Sequence, residues 1–222
     1  MPTIEGFRLK VLKYNRKVFG NIHQKKLKNK EFTIISNNCW AGEVYEYYNL
    51  QKQSPTIGCF IMADDYIRFL KNLRKYLEAP LTFIDPNDSK WKNWPQISSD
   101  KRFGTYPVGK ISLGNESIEI FFLHYHSKKE VQNKWIRRCK RINWSRILVK
   151  FNDQNGCVIN HVTEFLGLPY KNKVFFTCKE WGISKNEIIK IQQFPKYDFI
   201  TASHEPFGNN KYLNITYFIN NL

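Results

Sequence analysis

The stretch Phe32-Thr-Ile-Ile-Ser-Asn-Asn-Cys-Trp-Ala-Gly-Glu43 runs from an apolar segment through a polar turn into a helical pattern. Phe32 to Ile35 reads as a buried strand, Ser36-Asn37-Asn38 as turn chemistry, and Ala41 to Tyr48 as a helix. In an open α/β sheet, ligands bind at the carboxyl ends of the strands, where helix N-termini present unpaired N–H groups. The stretch therefore nominates a site around its turn.

Working outward, Pro55 to Met62 reads as a second buried strand, and Ala63 to Leu77 as a helix with Tyr66, Phe69, Leu70, Leu73 and Leu77 on one side. Two successive strand-then-helix units argue for parallel pairing. Leu81 to Ile84 is a short strand, and the polar segment 85–100, with Trp91 and Trp94, is a binding loop or a surface insertion. The runs 106–113 and 117–123 flank Gly114-Asn115 as an antiparallel hairpin. Ser127 and Glu130 form a capping box for a helix reaching about Ile142. Arg146 to Phe151 is again strand, followed by the loop Asn152-Asp-Gln-Asn-Gly156. Further on, the pattern predicts a helix over 158–166, a strand over 173–177, a helix over 183–192, and late strands over 197–200 and 213–218.

The fold class expected is α/β: three layers, a mainly parallel central sheet and an antiparallel hairpin insertion, with residues 31–222 as one domain. Residues 1–30 form a basic N-terminal helical extension with a break near Gly20-Asn21. The chain of 222 residues has a hydrophobic fraction of 42% and many aromatic residues, which excludes disorder as the default. No segment approaches the roughly 20 apolar residues of a membrane span, and the first residues lack a secretory apolar stretch, so the expected location is cytoplasmic. Five widely spaced cysteines, none in a Cys-x-x-Cys pair, fit reduced thiols and supply neither a disulfide framework nor a zinc motif.

The net charge of +16 is concentrated in two places. Residues 1–30 carry nine Lys/Arg against one Glu, and residues 127–146 carry eight against one. Such fields attract phosphates of nucleotide-linked donors, anionic lipid, acidic glycans or nucleic acid. The amphipathic start Phe7 to Phe19 fits either a solvated helix face or an anionic membrane surface at the inner side of the membrane. Nucleic acid is disfavoured, since no recognition motif accompanies the charge.

Cys39 alone among the cysteines follows a strand and precedes a helix, where N–H groups and the helix dipole favour a thiolate. It reads as a nucleophile, a non-covalent member of the site, or a packed small hydrophobe. Asn37 and Asn38 shape the turn or donate to a ligand oxygen. His124 and His126 alternate, so in an extended segment both face one side, one as a base toward Cys39 and the other holding a phosphate or orienting its neighbour, or each in a structural role. Lys134, Trp135, Arg137, Arg138 and Arg141 place charge and an aromatic ring on one helix, suited to a diphosphate or charged glycan. Asp153 either forms a turn, orients a histidine, meets a sugar hydroxyl or helps hold a divalent ion; no metal set is assigned. Gly-x-Gly-x-x-Gly, Walker, Gly-x-Ser-x-Gly and His-Glu-x-x-His patterns are absent, which disfavours dinucleotide oxidoreductases, P-loop enzymes, ordinary serine hydrolases and zinc metalloproteases.

Phe32 to Gly42, Gln53-Ser-Pro-Thr-Ile-Gly58, Asp65 to Leu73, Tyr106-Pro-Val-Gly109, Trp135-x-Arg-Arg138, Arg141-Ile-Asn-Trp144 and Leu168-Pro-Tyr-Lys-Asn-Lys173 together resemble domain-of-unknown-function family 1919. Members are often named exopolysaccharide or capsule biosynthesis proteins, so the resemblance implies work on bacterial surface glycans from the cytoplasmic side. Ala41-Gly42 stands where that family has Gly-Gly. Asn38-Cys39 is also similar to the Gly-Asn-Cys-Gln of capsule-biosynthesis proteins thought to be acyl transferases or esterases. The expectation is a transferase, with acyl transfer first: Cys39 as nucleophile or organiser, His124 or His126 as base, and Arg137, Arg138 and Arg141 holding donor phosphates. An acyl-CoA or a nucleotide-sugar would be the donor, and a glycan or lipid-linked glycan the acceptor. A glycosyl or phosphosugar transferase using Asp153, and a non-enzymatic glycan- or membrane-binding assembly protein, are the alternatives.

Overall fold

The strand β1 (Thr33–Ser36) pairs in parallel with β5 (Ile147–Asn152), which pairs with β6 (Lys173–Thr177), which pairs with β7 (Ile188–Lys190). The computed structural model from which this is read describes residues 18–192 and 198–222, with Val11 and Tyr14. Alternation along these strands sorts their side chains onto two faces. Ile34, Leu148, Val174 and Phe176 face α1 (Trp40–Tyr47) and α7 (Ile215–Asn220). Ile35, Val149, Phe151 and Phe175 face α2 (Ala63–Lys71) and α6 (Ile159–Gly167). Helices on both sides of a parallel sheet make the three-layer α/β arrangement.

Between β1 and β5 the chain builds a second sheet, β2 (Thr82–Ile84), β3 (Val108–Leu113) and β4 (Glu116–Phe121), antiparallel throughout. The hairpin β3–β4 turns at Gly114, whose φ of 59° is the left-handed conformation the tight turn requires. Ile111, Ile118 and Ile120 join the same apolar cluster as the α2 face of the parallel sheet, so one core runs under both sheets. Ser127 caps α5 (Lys128–Cys139) by accepting from the Glu130 N–H, and Glu130 accepts from the His126 N–H in return.

Several expected elements differ. The segment 55–62 is buried but makes only one antiparallel bridge, Phe60 to Phe121, because Gly58 turns at φ 78° and its neighbours bond elsewhere. Ile57 O accepts from Tyr125 and Arg138, and Ile61 N donates to Asn37 O. The expected helix 63–77 is broken at Asn72 (φ −132°, ψ 37°) into α2 and α3 (Leu73–Glu78). The expected helix 183–192 contains β7 instead, since β6 still has an edge to fill. The expected strand 213–218 is α7, whose Asn214 side chain accepts from Tyr217 N. Residues 198–200 form a bend rather than a strand, and residue 197 lies outside the described residues. Residues 18–24 are helical straight through Gly20-Asn21, where a break was expected, and most of the expected amphipathic stretch 7–19 falls outside the described residues.

Candidate functional site

A cleft of about 720 Å³ opens at the carboxyl ends of β1 and β5. Asn38, Cys39 and Glu43 come to it from the turn after β1 and the first turn of α1, and Gln154 and Asn155 from the loop after β5. The segment 201–203 closes one side, while His124 and Leu123 enter from the turn after β4. Opposite them stand Gln96 and Ile97 of α4 (Pro95–Ser98), with Asp100 and Arg102 just beyond. The polar insertion 85–106 is therefore a wall of the cleft.

That wall is fastened from beneath. The fully buried Asp65 carboxylate accepts from Lys90 Nζ (2.5 Å), Trp91 Nε1 (2.7 Å) and Glu119 N (3.0 Å). Burial pushes its carboxyl up against the pull of Lys90. Trp91 and Trp94 pack edge to face within an apolar cluster with Met62 and Phe121. Trp94 lies on Gly156, where a β-carbon would come within 2.9 Å of the indole. These two rings hold the wall and do not line the cleft.

Under the turn after β1 lies a buried polar network. Lys150 occupies the α1 face of β5 with no exposed side-chain area, and its ammonium meets Glu205 Oε1 at 2.5 Å. It also donates to Asn38 Oδ1 (2.9 Å) and Asn37 Oδ1 (3.3 Å). Asn38 Nδ2 donates to both Glu205 oxygens at 3.2 Å, and Asn37 Nδ2 to Asn152 Oδ1 at 2.7 Å. Burial pulls the Lys150 ammonium down and pushes the Glu205 carboxyl up, each opposed by the other. Both asparagines thus shape the turn, and Asn38 also reaches the cleft. A lysine inside the apolar strand Ile147-Leu-Val-Lys-Phe151 was the sequence signal for this network.

Cys39 is at the N-cap of α1, half-buried, as the strand-turn-helix pattern anticipates. Burial first, then the carboxylates of Glu43 and Glu205, push its thiol up to about 12, and Lys150 and Arg102 only partly oppose them. The helix dipole expected to favour a thiolate is outweighed. Sγ faces Cys59 O at 3.9 Å.

The two histidines part company because β4 ends at Phe121 and the chain turns, so they do not share an extended face. His124 lines the cleft, whereas His126 precedes α5 outside it. Burial holds the His124 imidazole below its ordinary range, aided by Arg102 and Lys52 and opposed by Glu46. Tyr125 between them is buried, donating to Ile57 O at 2.6 Å.

The basic helix also lies elsewhere. Arg138 is buried and anchors Tyr125 (Nη1 to OH, 2.5 Å), Trp135 packs edge-on against Phe122, and Lys134 pairs with Glu130 at 2.5 Å. Arg137 and Arg141 line a separate depression of about 380 Å³. Asp153 is buried, with Oδ1 accepting from Ile200 N (2.7 Å) and Oδ2 from Thr177 Oγ1 (2.7 Å) and Cys178 N (2.9 Å). It ties the segment before the 201–203 wall to the end of β6 and does not line the cleft. The cation that does reach the cleft is Arg102, held by Asp100 through Nε (2.9 Å) and Nη2 (3.1 Å). Arg102 and Asp100 lacked any sequence signal, since nothing in residues 95–105 foretells that the insertion folds back over the strand ends.

Among the described residues no group of His, Cys, Asp and Glu is arranged to hold a metal ion, and no helix is long and apolar enough to cross a membrane. Residues 10–222 match the sequence profile of the family described as Domain of unknown function (DUF1919). An uncharacterized protein of Haemophilus influenzae is 30% identical over 210 residues, covering 95% of this chain and 92% of that protein.

Proposed function

For a chain that belongs to the DUF1919 family, we propose a transferase that moves a group from an activated donor onto a hydroxyl of a surface glycan or its precursor, with His124 as general base. The observation that carries this is His124 kept neutral by burial and nearby cations at the wall of a 720 Å³ cleft whose rim is amide- and hydroxyl-rich. A neutral imidazole can take the acceptor proton as the oxygen attacks. Asn38, Gln96, Gln154 and Ser203 supply the donors and acceptors that hydroxylated substrates need. The surface-glycan assignment rests on the resemblance drawn from the sequence motifs, since neither the family description nor the Haemophilus influenzae protein carries such a name.

Transfer is direct. A thiol near 12 is almost wholly protonated at neutral pH and its environment disfavours the thiolate, so Cys39 serves as part of the cleft wall. In the acyl version the acceptor oxygen bonds to the acyl carbon, the carbon–sulfur bond of an acyl-CoA breaks, and the proton taken by His124 passes to the departing thiolate. The proposed partner of donor or intermediate negative charge is Arg102, which lines the cleft as the arginines of α5 do not.

The test incubates purified protein with acyl-CoA and nucleotide-sugar donors and candidate glycan acceptors, reading acceptor mass. Turnover that survives Cys39→Ala and is lost in His124→Ala supports the reading. Turnover lost in Cys39→Ala, or retained in His124→Ala, sinks it, as does binding of glycan with no product from any donor.

A further inference from the structure

Two features that the cleft does not use meet at the opposite end of the parallel sheet. Val11, Tyr14, Val18 and Ile22 are helical, spaced by three or four residues, and exposed at 41%, 69%, 48% and 53%. The other side of residues 18–24 is seated on the protein: Gly20 lies against Asn49, and His23 stacks on Tyr47 at 4.0 Å. The apolar stripe therefore points outward, flanked in sequence by Lys10, Lys13, Arg16 and Lys17.

The second feature is the end of α5 and the turn after it. Arg137, Lys140 and Arg141 have no ion-pair or side-chain hydrogen-bond partner among the described residues, and they border a depression of about 380 Å³ beside the exposed Ile136. Lys140 and Arg141 also border a neighbouring one of about 610 Å³, whose walls are Trp144 on one side and Gln51 and Gln53 on the other. Asn49, just before that wall, holds Asn21 at 2.7 Å, and Asn143 holds Glu31 O at 2.9 Å. The stripe and the unpaired cations are thus joined through residues 49–53 and 141–145. This surface stands at the amino ends of β1 and β5, where Thr33 pairs with Ile147, so the cleft opens away from it.

We propose that this face docks on an anionic phospholipid bilayer, with Val18 and Ile22 entering the headgroup boundary and Arg137, Lys140 and Arg141 lying against lipid phosphates. Unpaired cations beside protruding aliphatic side chains suit an interface that is charged at its surface and apolar beneath. Nucleic acid fits less well, because it has no use for the aliphatic stripe and Arg74 already covers the Trp144 ring at 4.3 Å. The inference is independent of the transferase reading, since no residue it uses lines the cleft.

The test is co-sedimentation of the full chain with phosphatidylcholine vesicles, with and without phosphatidylglycerol. Binding is expected to the anionic vesicles only and to weaken with salt. Arg137→Ala/Lys140→Ala/Arg141→Ala should weaken it on the order of a hundredfold. Val18→Asp/Ile22→Asp should also release the protein, while replacing the exposed Lys92, Lys101 and Lys185 by Ala should have a much smaller effect. Circular dichroism checks that the variants remain folded. Three results overturn the proposal: no vesicle binding, binding indifferent to both site variants, or tighter binding to a single-stranded oligonucleotide than to anionic vesicles. A dimer that Val18→Asp/Ile22→Asp dissociates, without vesicle binding, assigns the stripe to a second copy and overturns it equally.

Discussion

Replacing Lys150 with Met removes one charge from a pair whose two side chains have no exposed area. Glu205 then keeps its two contacts from Asn38 Nδ2 but loses the ammonium at 2.5 Å, and Asn37 and Asn38 lose a charged donor. Breaking one side of a buried pair costs about 3–5 kcal/mol, since the other charge stays buried without compensation. For a chain of this length that is a fall in melting temperature of roughly 6–20 °C. Replacing both members, as Lys150→Met/Glu205→Met, should cost clearly less than the two single changes summed, because no lone charge remains. Urea denaturation followed by tryptophan fluorescence measures all three variants against wild type. A Lys150→Met protein within about 1 kcal/mol of wild type, or a double variant equal to the sum, would refute the claim that this pair holds the cleft floor.

Three further outcomes follow from the same geometry. With His124 as the proposed base and its pKa lowered by burial, kcat/KM should be level through neutral pH and fall only as pH drops below the folded-state pKa, which lies under 6.5; a limb centred above that value contradicts the proposal. Cys39, with its thiol pushed from 9.0 to about 12, should carry roughly a thousandfold less thiolate at pH 8 than an unperturbed cysteine, so iodoacetamide should label it slowly in the folded protein and readily in urea. Gly156→Ala puts a β-carbon 2.9 Å from Trp94 at φ 79°, which should cost about 1–3 kcal/mol and expose segment 85–106 to protease; wild-type stability would show that Trp94 yields freely.

Local signals were sufficient for much of this molecule. Strand β1, its Asn-Asn-Cys turn, α1, the capped α5 and the β3–β4 hairpin lie where periodicity and cap chemistry place them, because each depends on residues within one or two turns of itself. Segments that went astray share a dependence on distant partners. Residues 55–62 look like a strand by composition, yet Asn37, Tyr125 and Arg138 take their backbone groups. Ile188 to Lys190 becomes a strand because the edge of β6 needs a partner. In the site, Cys39 and His124 were legible as residues with chemical capacity, but the directions in which their pKa values move come from burial and from Glu43, Glu205 and Arg102.

The amino-acid order by itself determined that the chain forms a parallel α/β core, where its polar turn falls, and that its positive charge gathers in two stretches, since hydrophobic period, capping and charge are local properties. Only the tertiary structure decided which of these features share a surface. Side-chain direction at the end of β4 sent His124 inward and His126 out, and the course of α5 carried Arg137 and Arg141 away from Cys39. The insertion brought Arg102 to the cleft in their place. Such placements depend on packing between elements far apart along the chain, which no short window of sequence encodes.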